Sequence, residues 1–86
     1  MKLDFDLKVF PNPINNVLNI NIVDLKEGCS LYLLDSIGRL VWSTRIEQDF
    51  EMYYLDLDKL SIANGTYQVV VNSDNYYGSK NLIIIT

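Results

Sequence analysis

Apolar and polar residues alternate with a period of two along most of the chain. Leu3, Phe5, Leu7 and Val9 interleave with Asp4, Asp6 and Lys8, the pattern of a strand with one buried face. Pro11 and Pro13 close it, because proline removes a ladder donor and holds the residue before it extended. Asn15-Asn16 supplies turn chemistry, and Leu18, Ile20 and Ile22 alternate with asparagines in a second strand. Lys26-Glu27-Gly28 turns the chain into a third strand, with Leu31 and Leu33 on one face and Tyr32 and Leu34 on the other. Asp35-Ser36-Ile37-Gly38 predicts a tight reversal in which Gly38 supplies a positive φ. Leu40 and Trp42 are expected to share a face of the fourth strand. Tyr53, Leu55 and Leu57 alternate with Tyr54, Asp56 and Asp58 in a fifth. Residues 60–65 form a corner, Tyr67, Val69 and Val71 line a sixth strand, residues 72–78 read as a hairpin loop, and residues 80–85 as a seventh strand.

No segment has a helical period followed by a cap, and Asp58-Lys59-Leu60-Ser61 can form a single helical turn at most. About seven short strands with frequent turn signals predict an all-β, antiparallel sandwich. The 86 residues suit one domain, 1–86, in which residues 1–6 are the edge of a linker or the start of the first strand. Size scaling gives a radius of gyration of about 12 Å, which leaves little room for a deep cavity.

Composition narrows the chemistry. Histidine is absent, which removes the commonest general base and neutral metal ligand. The single cysteine, Cys29, excludes an internal disulfide and a cysteine zinc site, and at a strand start it reads as a small packing residue. The net charge of −4 and the scattered basic residues argue against a nucleic-acid partner or an anionic membrane. No apolar run approaches the ~20 residues of a membrane span, so no membrane insertion is expected. Asp4/Asp6 and Asp56/Asp58 could each converge on a metal, but alternating strands place such pairs on solvent faces. No cofactor is expected, and a minimal enzyme is disfavoured. Asn64-Gly65-Thr66 fits the glycosylation pattern, although a turn suits Asn64-Gly65 better.

Three features ask for a specific explanation. Leu60, Gly65 and Tyr67 resemble the tyrosine corner of immunoglobulin-like sandwiches, which predicts a bond from the Tyr67 hydroxyl to backbone near Leu60. Trp42 with Tyr53-Tyr54 and Tyr76-Tyr77 could build a sugar-stacking platform, or simply pair across strands. The last strand is apolar on both faces, so either Leu82/Ile84 or Ile83/Ile85 faces something other than the core.

A family resemblance rests on Phe10-Pro11-Asn12-Pro13, Asn16-Val17-Leu18-Asn19-Ile20, the run from Leu31 through Asp35-Ser36-Ile37-Gly38-Arg39, Leu55-Asp56-Leu57 with Leu60, Ala63-Asn64-Gly65-Thr66-Tyr67, and Lys80-Asn81-Leu82-Ile83-Ile84-Ile85. In this order the landmarks resemble the type A C-terminal sorting domain of the type IX secretion system, over about residues 7–86. The resemblance implies an immunoglobulin-like sandwich of about seven strands, carried behind an N-terminal cargo in certain Gram-negative bacteria. Its partners would be the outer-membrane translocon and a sortase-type surface peptidase that removes the domain. The cargo would end secreted or at the cell surface. Gly38, Arg39, Lys80, Leu82, Ile83, Ile84 and Ile85 carry over as sorting-signal candidates. Pro11, Asn12, Pro13, Leu18, Asn19, Leu60, Asn64, Gly65 and Tyr67 carry over as scaffold. Family members often have two basic residues before the apolar run and a basic final residue; here Asn81 follows Lys80 and Thr86 stands last. Self-association through the last strand stays open. The alternative is a carbohydrate-binding or adhesion sandwich appended to a secreted enzyme, which would place function on Trp42, Tyr54 or Tyr76.

Overall fold

The computed structural model describes residues 1–11, 16–22, 25–47 and 52–85. Among them eight strands form two sheets: β1 (Leu3–Asp4), β2 (Lys8–Phe10), β3 (Val17–Asn21), β4 (Cys29–Leu34), β5 (Leu40–Ile46), β6 (Met52–Asp56), β7 (Gly65–Ser73) and β8 (Tyr76–Ile84). The larger sheet runs β1-β8-β7-β4-β5 and the smaller β2-β3-β6. The described residues contain no α-helix; one 3₁₀ turn, Leu57–Lys59, follows β6, its first turn capped by the Asp56 carboxylate, which accepts the Asp58 N–H at 3.1 Å. The radius of gyration is 12.2 Å.

The period of two sets the core. Leu18 and Ile20 of β3, Leu31 and Leu33 of β4, Val69 and Val71 of β7, and Leu82 and Ile84 of β8 are all buried, and the two sheets press these faces together. Cys29 lies in the same core as a packing residue, and burial pushes its thiol pKa up.

Four local readings change. The first expected strand is two. Leu3 and Asp4 pair in parallel with Tyr76 and Tyr77 of β8, then the chain crosses to the small sheet, where Lys8 to Phe10 pair with β3. Leu3 is accordingly exposed while Leu7, at the crossing, is fully buried. Second, Leu40 and Trp42 do not share a face. A bulge sets Leu33 opposite Trp42 but Leu34 opposite Leu40, and the extra residue, Val41, breaks the alternation, leaving Leu40 exposed. Third, β8 begins at Tyr76, inside the expected loop, because the β7–β8 ladder continues to Asn72 and Tyr77. Fourth, Leu57 lies in the 3₁₀ turn, beyond the strand that its spacing suggested, and is still buried there.

The N-terminal segment is fixed to the edge of β8. The Phe5 N–H donates to the Tyr77 carbonyl at 2.9 Å, the Phe5 ring meets Tyr76 edge-on, and the Phe5 backbone lies directly over Gly78. A Cβ at residue 78 would overlap the Phe5 carbonyl oxygen, so this crossing requires glycine.

Candidate functional site

The corner before β7 is organised by its tyrosine. The Tyr67 hydroxyl donates to the Ala63 carbonyl at 2.6 Å, a backbone acceptor in the corner three residues from Leu60, near which the sequence pattern had placed it. Within this corner Ser61 holds a φ of 52°, a left-handed conformation that costs a non-glycine residue roughly 1 kcal/mol. Leu60 is half-buried, and Asn64 and Gly65 are exposed at the start of β7. Leu18 is buried in β3; beside it Asn19 donates its amide to the Phe10 carbonyl at 3.0 Å, tying β3 to the end of β2, where Pro11 follows. Asn12 and Pro13 lie outside the described residues.

The turn between β4 and β5 is built around Asp35. Its Oδ1 accepts the backbone N–H groups of Ile37 and Arg39 at 3.1 and 2.9 Å, and its Oδ2 accepts the Arg39 Nε at 2.9 Å. The Asp35 carbonyl accepts the Gly38 N–H at 3.0 Å, and Gly38 stands at a φ of 85°. The backbone hydrogen bond from Arg39, aided by its guanidinium and by Ile37, holds the Asp35 pKa below the ordinary carboxylate range. Asp35 is mostly covered, with 18% of its side chain accessible, whereas Arg39 is 75% accessible. The turn therefore presents the cation and hides the anion that fixes it. Ile37 beside it is 72% exposed, and Leu40 and Val41 are exposed as well.

On β8 the two apolar pairs separate. Leu82 and Ile84 point into the core, while Ile83 and Ile85 are 47% and 52% exposed. Lys80 shares the side of the strand that carries Leu82 and Ile84, and at the sheet edge its ammonium meets the Asp6 carboxylate at 3.3 Å. Of the two basic sorting candidates, Lys80 thus has a partner at the N-terminal segment, and Arg39 is the more outward-facing.

The sheet brings the remaining candidates to one end. Leu34, the last residue of β4, is level with Gln68, and Gln68 is level with Asn81. The Asp35–Arg39 turn therefore leaves the sheet where β8 reaches Leu82 and Ile83. Two strand spacings, about 10 Å, separate β4 from β8.

The aromatic residues do not form one platform. Trp42 packs on Tyr53 with ring centroids 5.9 Å apart, bridging the β5 and β6 edges, and Tyr76 packs on Phe5. Tyr54 is exposed on β6, in the smaller sheet, and Tyr77 on β8, in the larger. Among the described residues no group of three or more His, Cys, Asp or Glu side chains could hold a metal ion. Glu27 accepts the Asn75 side-chain amide at 2.9 Å and the Asn75 N–H at 3.0 Å, which lowers its pKa and ties the turn before β4 to the β7–β8 turn. Sequence reasoning missed both Glu27 and Asp35 as organising residues. An Asp followed three residues later by Gly was the available signal for Asp35; nothing local marked Glu27, whose partner is 48 residues away.

The family model of the secretion system C-terminal sorting domain matches residues 8–85. No curated protein matches the chain. Among solved structures, PorZ of Porphyromonas gingivalis, described as an essential bacterial surface component of the type-IX secretion system, superposes with a TM-score of 0.71 at 25% identity. The match covers 93% of this chain and 11% of PorZ.

Proposed function

The chain belongs to the secretion system C-terminal sorting domain family, and from that premise we propose that it is the address by which a type IX secretion machinery recognises and exports an N-terminally attached cargo. The match over residues 8–85 carries the reading, since it spans both sheets rather than a local motif. The domain is read as a folded surface and supplies no catalysis of its own. The cargo crosses the outer membrane of a Gram-negative bacterium and is released or displayed at the surface. A sortase-type peptidase then cuts upstream of the folded core. Leu7 is fully buried and Phe5 is bonded to β8, so the accessible backbone for such a cut lies before Leu3.

The test fuses residues 1–86 behind a signal peptide and a fluorescent reporter in a host with a type IX system. Export of the fusion, and its periplasmic retention when the sorting domain is omitted, are expected. Periplasmic retention of the intact fusion refutes the reading. Deleting residues 82–86 is a poor probe of the tail alone, because it also removes Leu82 and Ile84 from the core. Ile85→Asp changes only an exposed side chain and separates recognition from folding.

A further inference from the structure

We propose that the β4–β5 turn and the C-terminal end of β8 form one tertiary epitope, in which Arg39, flanked by Ile37, Leu40, Ile83 and Ile85, engages a carboxylate set in apolar surface on a protein of the export machinery. The proposal rests on the sorting-signal reading and names the chemistry of its partner. Three observations carry it. The ladder from Leu34 through Gln68 to Asn81 places the turn and the strand end at the same end of one sheet, two strands apart. Exposed large apolar side chains gather there: Ile37, Leu40 and Val41 from the hairpin, and Ile83 and Ile85 from the last strand. The charge suits an acidic partner: in a chain of net charge −4, Arg39 bonds Asp35 through its Nε yet keeps 75% of its side chain accessible, while the Asp35 carboxylate is mostly covered. An exposed guanidinium at a sheet end that also carries exposed aliphatic side chains suits a protein pocket, where the surrounding contacts would exclude water from the ion pair.

Asp35 acts here as a positioning residue. By accepting the Arg39 Nε it uses one guanidinium donor to fix the side chain to the turn, while the side chain as a whole stays 75% accessible. Lysine has no Nε donor of this kind and would not be aimed in the same way.

The export fusion of residues 1–86 tests this. Arg39→Glu and Ile83→Asp, both at exposed positions, should each lower export roughly tenfold, the scale of one anchor contact, with the purified domains still unfolding cooperatively and the Arg39→Glu midpoint only slightly lowered by loss of the exposed Asp35 ion pair. The double variant should export less than either single variant. Asp35→Ala should lower export severalfold, because it releases the Arg39 side chain and the turn backbone together, and unchanged export would count against its positioning role. Arg39→Lys should recover only part of the function. Wild-type export of Arg39→Glu overturns the proposal, as does wild-type export of Ile83→Asp. An equal loss from Arg45→Glu, at the other end of β5, overturns it too by showing a general charge effect. Full export of Arg39→Lys overturns the role of Asp35. Failure of the wild-type fusion to leave the periplasm is a different result and refutes the sorting reading itself.

Discussion

Removing one oxygen from the corner before β7 measures how the fold is closed. Tyr67→Phe deletes the hydroxyl that donates to Ala63 at 2.6 Å and leaves the buried ring in the core. A net intramolecular hydrogen bond is worth about 1 kcal/mol, and a fully buried acceptor left unpaired costs up to about 3 kcal/mol. Ala63 is exposed, so its carbonyl can recover a water molecule, and the loss should sit near the lower figure. The expected cost is about 1 kcal/mol, which for a domain of this size lowers the thermal midpoint by roughly 4–8 °C. Urea denaturation should show a lower midpoint with an unchanged slope, as a loss of stability without a change in compactness requires. Tyr54→Phe, on the exposed face of β6, should stay within about 0.5 kcal/mol of wild type. A Tyr67→Phe domain as stable as wild type, or a Tyr54→Phe domain equally weakened, would refute the reasoning.

Two further substitutions probe other contacts. Gly78→Ala places a methyl group against the Phe5 carbonyl and within 3.1 Å of the Leu7 side chain, so the N-terminal segment must lift. The expected cost is about 1–3 kcal/mol with faster amide exchange at Leu3 and Phe5, and unchanged exchange at both would show that the crossing is not as tight as described. The Asp35 pKa lies below that of a free aspartate, so its hold on the turn is complete above the unfolded value of about 3.9 and is lost as pH falls through the lower folded value. In an NMR acid titration the Ile37 and Arg39 amide signals should move together with a midpoint below about 3.9, and Asp35→Asn should abolish that movement.

Several strands were legible because burial on one face of a sheet imposes alternation directly on the sequence. Leu18/Ile20, Leu31/Leu33 and Val69/Val71 show that pattern and occupy the core. The corner tyrosine was legible in kind, since its function depends on residues a few positions away, though its acceptor proved to be Ala63. The split of the first strand was not legible. A chain that changes sheets keeps its alternation while its partners change, and those partners, Tyr76 and Tyr77, lie more than 70 residues downstream. The bulge at β5 was hidden for a similar reason: only the pairing with β4 reveals the residue that has no opposite number.

The sequence by itself determined that this is an all-β chain with one thin core, no histidine chemistry and an apolar final strand, because composition and period-two alternation are local properties. The tertiary structure alone decided which face of that strand looks outward, that Lys80 is met by Asp6 of the N-terminal segment while Arg39, held by Asp35 of its own turn, stays mostly accessible, and that the β4–β5 turn and the strand end lie at one end of the sheet. Those outcomes depend on strand order and register. Both are fixed by packing between segments far apart in the chain, where the spacing of residues along the sequence carries no information.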